Sequence, residues 1–221
     1  GSAGEPNWST VDPSAVPAPG ADGPGITEAL QHGDPAGTVW RPGEADVSIR
    51  PGWFWHPEED SSVRSVEDLV ELYFASVGRN AKLLLNVPPT TEGLLHETDV
   101  ARLTGFGDRL KEMFAVDLAA GARRHWRAGP GFTGGWEIDL GREVTAGLVS
   151  LQEEIATGQS IARYRLEGWA GGAWLPLSRG TTIGYRRLDR FAPTAISRVR
   201  LTVEEALAAP RLARLTLHAG M

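Results

Sequence analysis

Between Asp46 and Phe114 the spacing of apolar residues changes from strand-like to helix-like and back. Val47 and Ile49 alternate with Asp46, Ser48 and Arg50, which predicts a short strand over 46–50 that Pro51-Gly52 stops. Ser65-Val-Glu-Asp68 then offers an N-cap hydroxyl with an acid three positions on, and both answer the free N–H groups of a starting helix. Val66, Leu69, Val70, Tyr73 and Val77 fall on one face at helical spacing, and Gly78 is placed to end that helix. Ala81-Lys-Leu-Leu-Leu-Asn-Val87 is too short for a helix and nearly all apolar, so it reads as a strand buried on both faces. A second amphipathic helix runs from about Glu97 to Phe114, with Val100, Leu103, Phe106, Leu110, Met113 and Phe114 on its buried side.

Strand, helix, strand and helix joined by short links predict an α/β fold with a parallel sheet, and do not separate a barrel from an open sheet. In a barrel, chemistry sits on the loops that follow strand C-termini, here Trp53 to Asp60 and Asn86 to Gly93. Beyond Phe114 the period becomes two. Residues 136–140, 148–153, 161–167, 173–177, 183–188, 198–203 and 212–218 are short alternating runs between Gly, Pro or charged turns, which predicts an antiparallel β-sandwich beginning near 115–120. Residues 1–43 are rich in Pro, Gly, Ala and Asp and read as one long loop, either functional or a tail, with Trp8, Ile26, Leu30, Val39 and Trp40 as possible anchors. Gly168 to Trp174 is a glycine-rich turn with Trp near each end, more readily explained by rings packing at a strand corner than by a ligand.

Composition narrows the chemistry. A net charge of −6 gives no electrostatic reason to expect nucleic acid. The absence of cysteine excludes disulfides, thiolate nucleophiles and Cys-based zinc sites. His32, His56, His96, His125 and His218 show no metal-binding spacing, so no metal and no cofactor are expected. No apolar run is long enough to cross a bilayer, and the N-terminus has no secretory-signal pattern. Eight tryptophans are more than a core of this size needs, and some of those rings are candidates for ligand contact.

The chain is organised around Asp46-Val-Ser-Ile-Arg-Pro-Gly-Trp-Phe-Trp-His-Pro-Glu-Glu-Asp60, where the predicted strand ends in three consecutive aromatics and a carboxylate cluster. Either two rings plug a core and one lies on a surface, or the rings form a platform for a sugar or another flat apolar face. Glu44, Asp46, Glu58, Glu59 and Asp60 are the nearby acids, and paired carboxylates beside such a platform suit glycoside hydrolysis. Glu58, Glu59 and Asp60 are better explained as a solvated acidic approach to the next helix.

Asp46-Val-Ser-Ile-Arg-Pro-Gly-Trp-Phe-Trp-His, Tyr73-Phe-Ala-Ser-Val-Gly-Arg-Asn80 and Leu83-Leu-Leu-Asn-Val-Pro-Pro89 together resemble the C-terminal part of the catalytic barrel of glycoside hydrolase family 29, the α-L-fucosidases. Their wording resembles the subfamily that prefers α-1,3 and α-1,4 fucosyl linkages, and Asn7-Trp-Ser-Thr10 resembles the segment after that subfamily's Gly-Asn-Glu motif. Glu137-Ile-Asp-Leu-Gly141, Leu151-Gln-Glu-Glu-Ile155, Gly158-Gln159, Gly180-Thr-Thr-Ile-Gly-Tyr-Arg-Arg187 and Val199-Arg-Leu201 resemble the discoidin-like, coagulation-factor type C β-sandwich that follows the barrel. Val116 to Gly135 departs from it, being shorter than the usual entry to such a sandwich.

The resemblance implies an incomplete (β/α)8 barrel over residues 1–115 followed by an antiparallel jelly-roll sandwich over 116–221. It implies part of a retaining exo-α-L-fucosidase acting on terminal α-1,3/1,4-linked fucose of oligosaccharides or glycoconjugates. By the same resemblance the aspartate nucleophile and glutamate acid/base lie upstream of Gly1, so no catalytic residue is assigned and the chain is expected to lack its N-terminal barrel half. A complete barrel takes about 250 residues, which agrees with that expectation. Trp53, Trp55, Arg50 and His56 are the expected substrate-binding residues, and the full-length protein is expected to be secreted or periplasmic. The competing reading is a non-catalytic carbohydrate-binding or structural β-sandwich module.

Overall fold

The computed structural model describes residues 2–14 and 25–220. Its first part interleaves short strands with helices: β1 (Thr10–Val11), α1 (Ile26–His32), β2 (Val39–Trp40), β3 (Glu44–Ser48), α2 (Val66–Ser76), β4 (Lys82–Asn86) and α3 (Glu97–Phe114). β1 and β2 form an antiparallel pair, so the stretch expected as one loop contains two strands and a helix, while residues 15–24 lie outside the described set. β3 and β4 pair in parallel with Val47 opposite Leu85 and Ser48 opposite Asn86. The α2 cap follows the sequence pattern, with Ser65 Oγ accepting from the Asp68 amide and the Asp68 carboxylate accepting from the Ser65 amide.

β4 is less enclosed than its apolar sequence predicts. Among the described residues β3 is its one strand partner, and Leu84 remains 44% exposed. Val100, placed by its period on the buried face of α3, is also exposed; the one buried residue of that helix is Asp99.

The second part is a single antiparallel sheet made of β5 (Arg123–Ala128), β6 (Gly134–Glu153), β7 (Ile161–Ala170), β8 (Ala173–Gly180), β9 (Arg187–Ala206) and β10 (Leu212–His218). The order is β10-β6-β9-β7-β8, with β5 also paired to β6. β6 and β9 each absorb two of the seven runs, because both continue through register shifts between Asp139 and Val144 and between Ala146 and Leu148. Ile183 to Arg186 is the turn leading into β9 rather than a strand of its own, and β5 is a strand that the alternation missed. The two halves of the long strands share one apolar core, in which Ile138 and Val199 join Val149, Leu151, Leu166, Leu215 and Leu217. Trp169 and Trp174 pair across the β7–β8 hairpin with ring centroids 5.4 Å apart, and the Arg198 and Arg200 guanidiniums lie over their faces.

α2 and α3 bury Val70, Phe74, Phe106 and Met113 against Leu148 and Leu188 of the sheet. Each full burial of such a side chain contributes about 1.5–3 kcal/mol, whereas the exposed Arg190–Glu71 pair beside them adds at most about 1 kcal/mol. Apolar contact therefore holds the helices to the sheet.

A polar seam completes the junction. The Asn80 side chain, on a residue with φ of 63°, donates to the Asn7 carbonyl at 3.1 Å and to Gln159 Oε1 at 3.2 Å, and accepts from the Tyr185 amide at 2.7 Å. Gly184, at φ 61°, passes so close to the Asn80 amide that any Cβ would collide with it. Deeper in the sheet, Asp189 accepts from Tyr164 Oη at 2.5 Å, Ser178 Oγ at 2.9 Å and Arg187 Nε at 2.7 Å, and Arg187 reaches Glu5 of the N-terminal segment. Burial and the Asp189 charge push the Tyr164 hydroxyl well above its ordinary pKa. Burial opposes the charge of Arg187, but the surrounding anions and the Asp189 hydrogen bond outweigh it and raise that pKa.

His218 closes β10 at the foot of α3. Nδ1 lies 2.7 Å from the Val116 carbonyl and Nε2 lies 2.9 Å from Thr216 Oγ1, so the neutral ring donates to the first and accepts from the second. Burial lowers its pKa, assisted by the Arg214 and Arg186 charges and opposed by the Val116 hydrogen bond and Asp117. The unfolded chain therefore binds this proton first as pH falls below the ordinary histidine value of 6.5, and stability declines from there down to the folded-state pKa. The melting temperature is expected to fall less between pH 7.5 and 5.5 in His218→Gln than in the parent chain; equal falls would remove His218 from the acid response.

Candidate functional site

The C-terminal ends of β3 and β4 converge on one loop. The Ile49 amide donates to the Asn86 carbonyl at 2.9 Å, which carries the strand pairing one residue beyond Ser48. Ser48 Oγ donates to the Gly52 carbonyl at 2.6 Å, and Asn86 Nδ2 reaches Ser48 Oγ at 3.1 Å and the Trp53 carbonyl at 3.0 Å. Asn86 thus ties the end of β4 to the loop. With the backbone held, the Trp53 and Phe54 rings project outward, at 51% and 77% exposure, and His56 is exposed beside them. Trp55 turns partly inward, with its ring centroid 6.1 Å from that of His96.

Arg50 does not join those rings on the open face. Its side chain is completely buried, with Nε 2.9 Å from Asp99 Oδ2 and Nη1 2.9 Å from Asp60 Oδ1, and Nη1 also donates to the His56 carbonyl at 3.4 Å. The alternation of β3 gave a charged residue an outward place, but Asp99 approaches from the first turn of α3 and takes it inside. Burial alone would lower the pKa of this guanidinium; the hydrogen bonds and charges of Asp99 and Asp60 more than compensate and raise it.

Asp60 likewise differs from a solvated acid. Pro57–Ser62 forms a 3-10 helix that delivers Asp60 to Arg50 and, at 3.3 Å, to His96 Nε2. His96 caps α3 by accepting the Thr98 amide at Nδ1, 3.3 Å away, which leaves Nε2 as the proton-bearing nitrogen facing Asp60. His96 and Asp99 are the residues that sequence reasoning missed. Both stand at a helix start, where a polar side chain is already explained by capping and by the helix dipole.

Hydrogen-bonding capacity is left over around this loop: Arg50 Nη2, Trp55 Nε1, Glu59 Oε2 and Asp99 Oδ1 are buried with no partner among the described residues. The arrangement can therefore present flat apolar faces with donors and acceptors beneath them. Among the described residues no group of three or more His, Asp or Glu is placed to hold a metal ion. Among the described residues no helix is long and apolar enough to cross a membrane.

Residues 21–113, which contain the aromatic loop, both parallel strands and nearly all of α3, match one family model. That model describes the α-L-fucosidases. An Alpha-L-fucosidase 1 of Arabidopsis thaliana is 34% identical over 218 residues, covering 85% of this chain and 42% of its own length. The crystal structure of SpGH29 is similar at a TM-score of 0.90 and 36% identity, over 100% of this chain and 52% of that one. A GH29 fucosidase of Ruminococcus gnavus, solved in complex with fucose, gives 0.81 and 28%, over 99% of this chain and 48% of its own. The chain is thus homologous to part of the α-L-fucosidases, which are glycoside hydrolases, and spans about half the length of the relatives it matches.

Proposed function

We propose that this chain is part of a retaining exo-α-L-fucosidase that removes terminal α-1,3/1,4-linked fucose from oligosaccharides or glycoconjugates, and that its loop from Trp53 to His56 lines the substrate pocket. The observation that carries this reading is the coincidence of the α-L-fucosidase match with a loop where two parallel strand ends, exposed aromatics and unused donors meet. Trp53 supplies a face for the fucose methyl or the next sugar, Trp55 and His56 supply donors, and Arg50 fixes the loop from beneath while keeping Nη2 unused.

The succession β3, α2, β4, α3 supports a reading of residues 1–115 as the last units of a (β/α)8 barrel, with the aromatic loop at the strand C-termini where barrels place chemistry. Residues 116–221 are read as a discoidin-like sandwich that buttresses it. The polar seam favours this role over an independent carbohydrate-binding module, because Gln159 and Thr182 face the N-terminal segment. Asp60, the acid of the loop that meets Arg50 and His96, is committed to those two partners, and the likeness to the α-L-fucosidases assigns the nucleophile and the acid/base to upstream sequence.

The test is hydrolysis of a fucosylated trisaccharide by the 221-residue chain and by a polypeptide extended upstream. Fucose release by the extended form alone is the expected result. Release by the 221-residue chain would overturn the assignment of the catalytic carboxylates.

A further inference from the structure

Away from the aromatic loop, a groove runs along the junction of the β1–β2 hairpin with the sheet. Trp40 divides it into lobes of about 500 and 350 Å³, and both lobes share Ser9 and Ile155. The backbone of this wall is fixed: Trp40 pairs with Thr10, and the Arg41 amide donates to the Ser9 carbonyl at 2.7 Å. Tyr185 stands across the larger lobe, its amide tied to Asn80. Rigid backbone under exposed rings is the arrangement of a binding wall, and Trp40 and Tyr185 are 70% and 62% exposed. Val77, Pro42 and Leu83 complete an apolar lining. Volume, composition and position between elements are those of a small-ligand site.

Charge selects the ligand. In a chain of net charge −6, neither lobe is lined by a carboxylate, while the larger one carries Lys82 and Arg186. Arg186 is held by neutral groups, donating to Tyr73 Oη at 2.8 Å and lying 5.8 Å from the Phe114 ring centre, and has no carboxylate partner among the described residues. Lys82 is shared with the exposed Glu44 at 3.2 Å. A ligand that stacks a ring on the aromatics and brings its own anion to Lys82 and Arg186 complements every one of these features.

We propose that the groove between Trp40 and Tyr185 binds an acidic saccharide, with the pyranose ring against the aromatic faces and the carboxylate between Lys82 and Arg186. This site is separate from the Trp53 loop and does not depend on the fucosidase reading.

The test titrates the 221-residue chain with trigalacturonate, using neutral galactotriose as the control, by calorimetry or ligand-observed NMR. Binding is expected for the acidic probe, weakened at least about tenfold by Trp40→Ala or Tyr185→Ala, weakened by Arg186→Gln and by added salt, and strengthened by Glu44→Gln, which releases Lys82. Trp53→Ala is expected to leave it unchanged, so loss of fucosidase activity and loss of this site are distinguishable. Trp40 and Glu44 are exposed, and unchanged melting of both variants secures the comparison. Absence of trigalacturonate binding, equal binding of galactotriose, or binding indifferent to both aromatic substitutions would overturn the proposal.

Discussion

Asp99→Ala is expected to destabilise the chain by about 3–5 kcal/mol, because it leaves the Arg50 guanidinium buried with its fully buried counter-ion removed. Both side chains of this pair are 0% exposed, so water cannot take over the hydrogen bond that Asp99 makes to Nε. Asp60 cannot substitute, since it already holds Nη1. The charge itself is what makes the loss expensive, and replacing both partners by apolar groups, Arg50→Met with Asp99→Leu, is expected to cost much less than Asp99→Ala alone. Urea denaturation of the three variants reads this out. A single mutant within about 1 kcal/mol of the parent would show that Arg50 finds another partner or reaches solvent. A double mutant as unstable as the single would show that the loss is one of packing.

Trp53→Ala is expected to lower kcat/KM of the catalytically complete polypeptide by an order of magnitude or more, about 1.4 kcal/mol of transition-state binding. Half of the Trp53 surface is open, and its backbone is held by the Asn86 side chain through the carbonyl, which the substitution does not touch. The fold therefore survives the change, and the kinetic loss reports the ring. If the ring covers fucose itself, kcat falls with kcat/KM; if it covers the next sugar, the effect concentrates in KM and shrinks for an aryl fucoside. Unchanged kinetics on an oligosaccharide would remove Trp53 from the pocket.

What the sequence disclosed follows from the range over which its signals act. Local signals read true. The Ser65–Asp68 box, the helical stripe from Val66 to Tyr73 and the paired Trp169 and Trp174 each depend on neighbours a few residues away. Signals that depend on distant partners did not. The apolar run of β4 predicts two covered faces, yet Leu84 lies open and, among the described residues, β3 is its one strand partner. β6 and β9 look like two strands each, because the bulges at Asp139/Val144 and Ala146/Leu148 break the two-residue period without ending the strand. The placement of Arg50 is the clearest instance. Nothing near position 50 announces a buried cation, since its partner Asp99 lies 49 positions further along the chain. The aromatics of the site were legible because they follow a stop signal; the ionic support beneath them was not.

The seam through Asn7, Asn80 and Gln159 has a consequence for loop closure. Asn7 donates its amide to Thr182, 175 positions later, and its carbonyl accepts from Gln159, 152 positions later. The opening residues are thus fastened to loops of the sheet, and the α/β elements lie within the closed circuit this makes. Loosening the opening residues from the sheet breaks the hydrogen bonds of Asn7 to Thr182 and to Gln159 at once. Contacts of such long sequence separation carry a loop-closure cost that must be met before they form. The junction is a latch in that sense, fastening the N-terminal segment to the sheet with the α/β elements enclosed in the circuit.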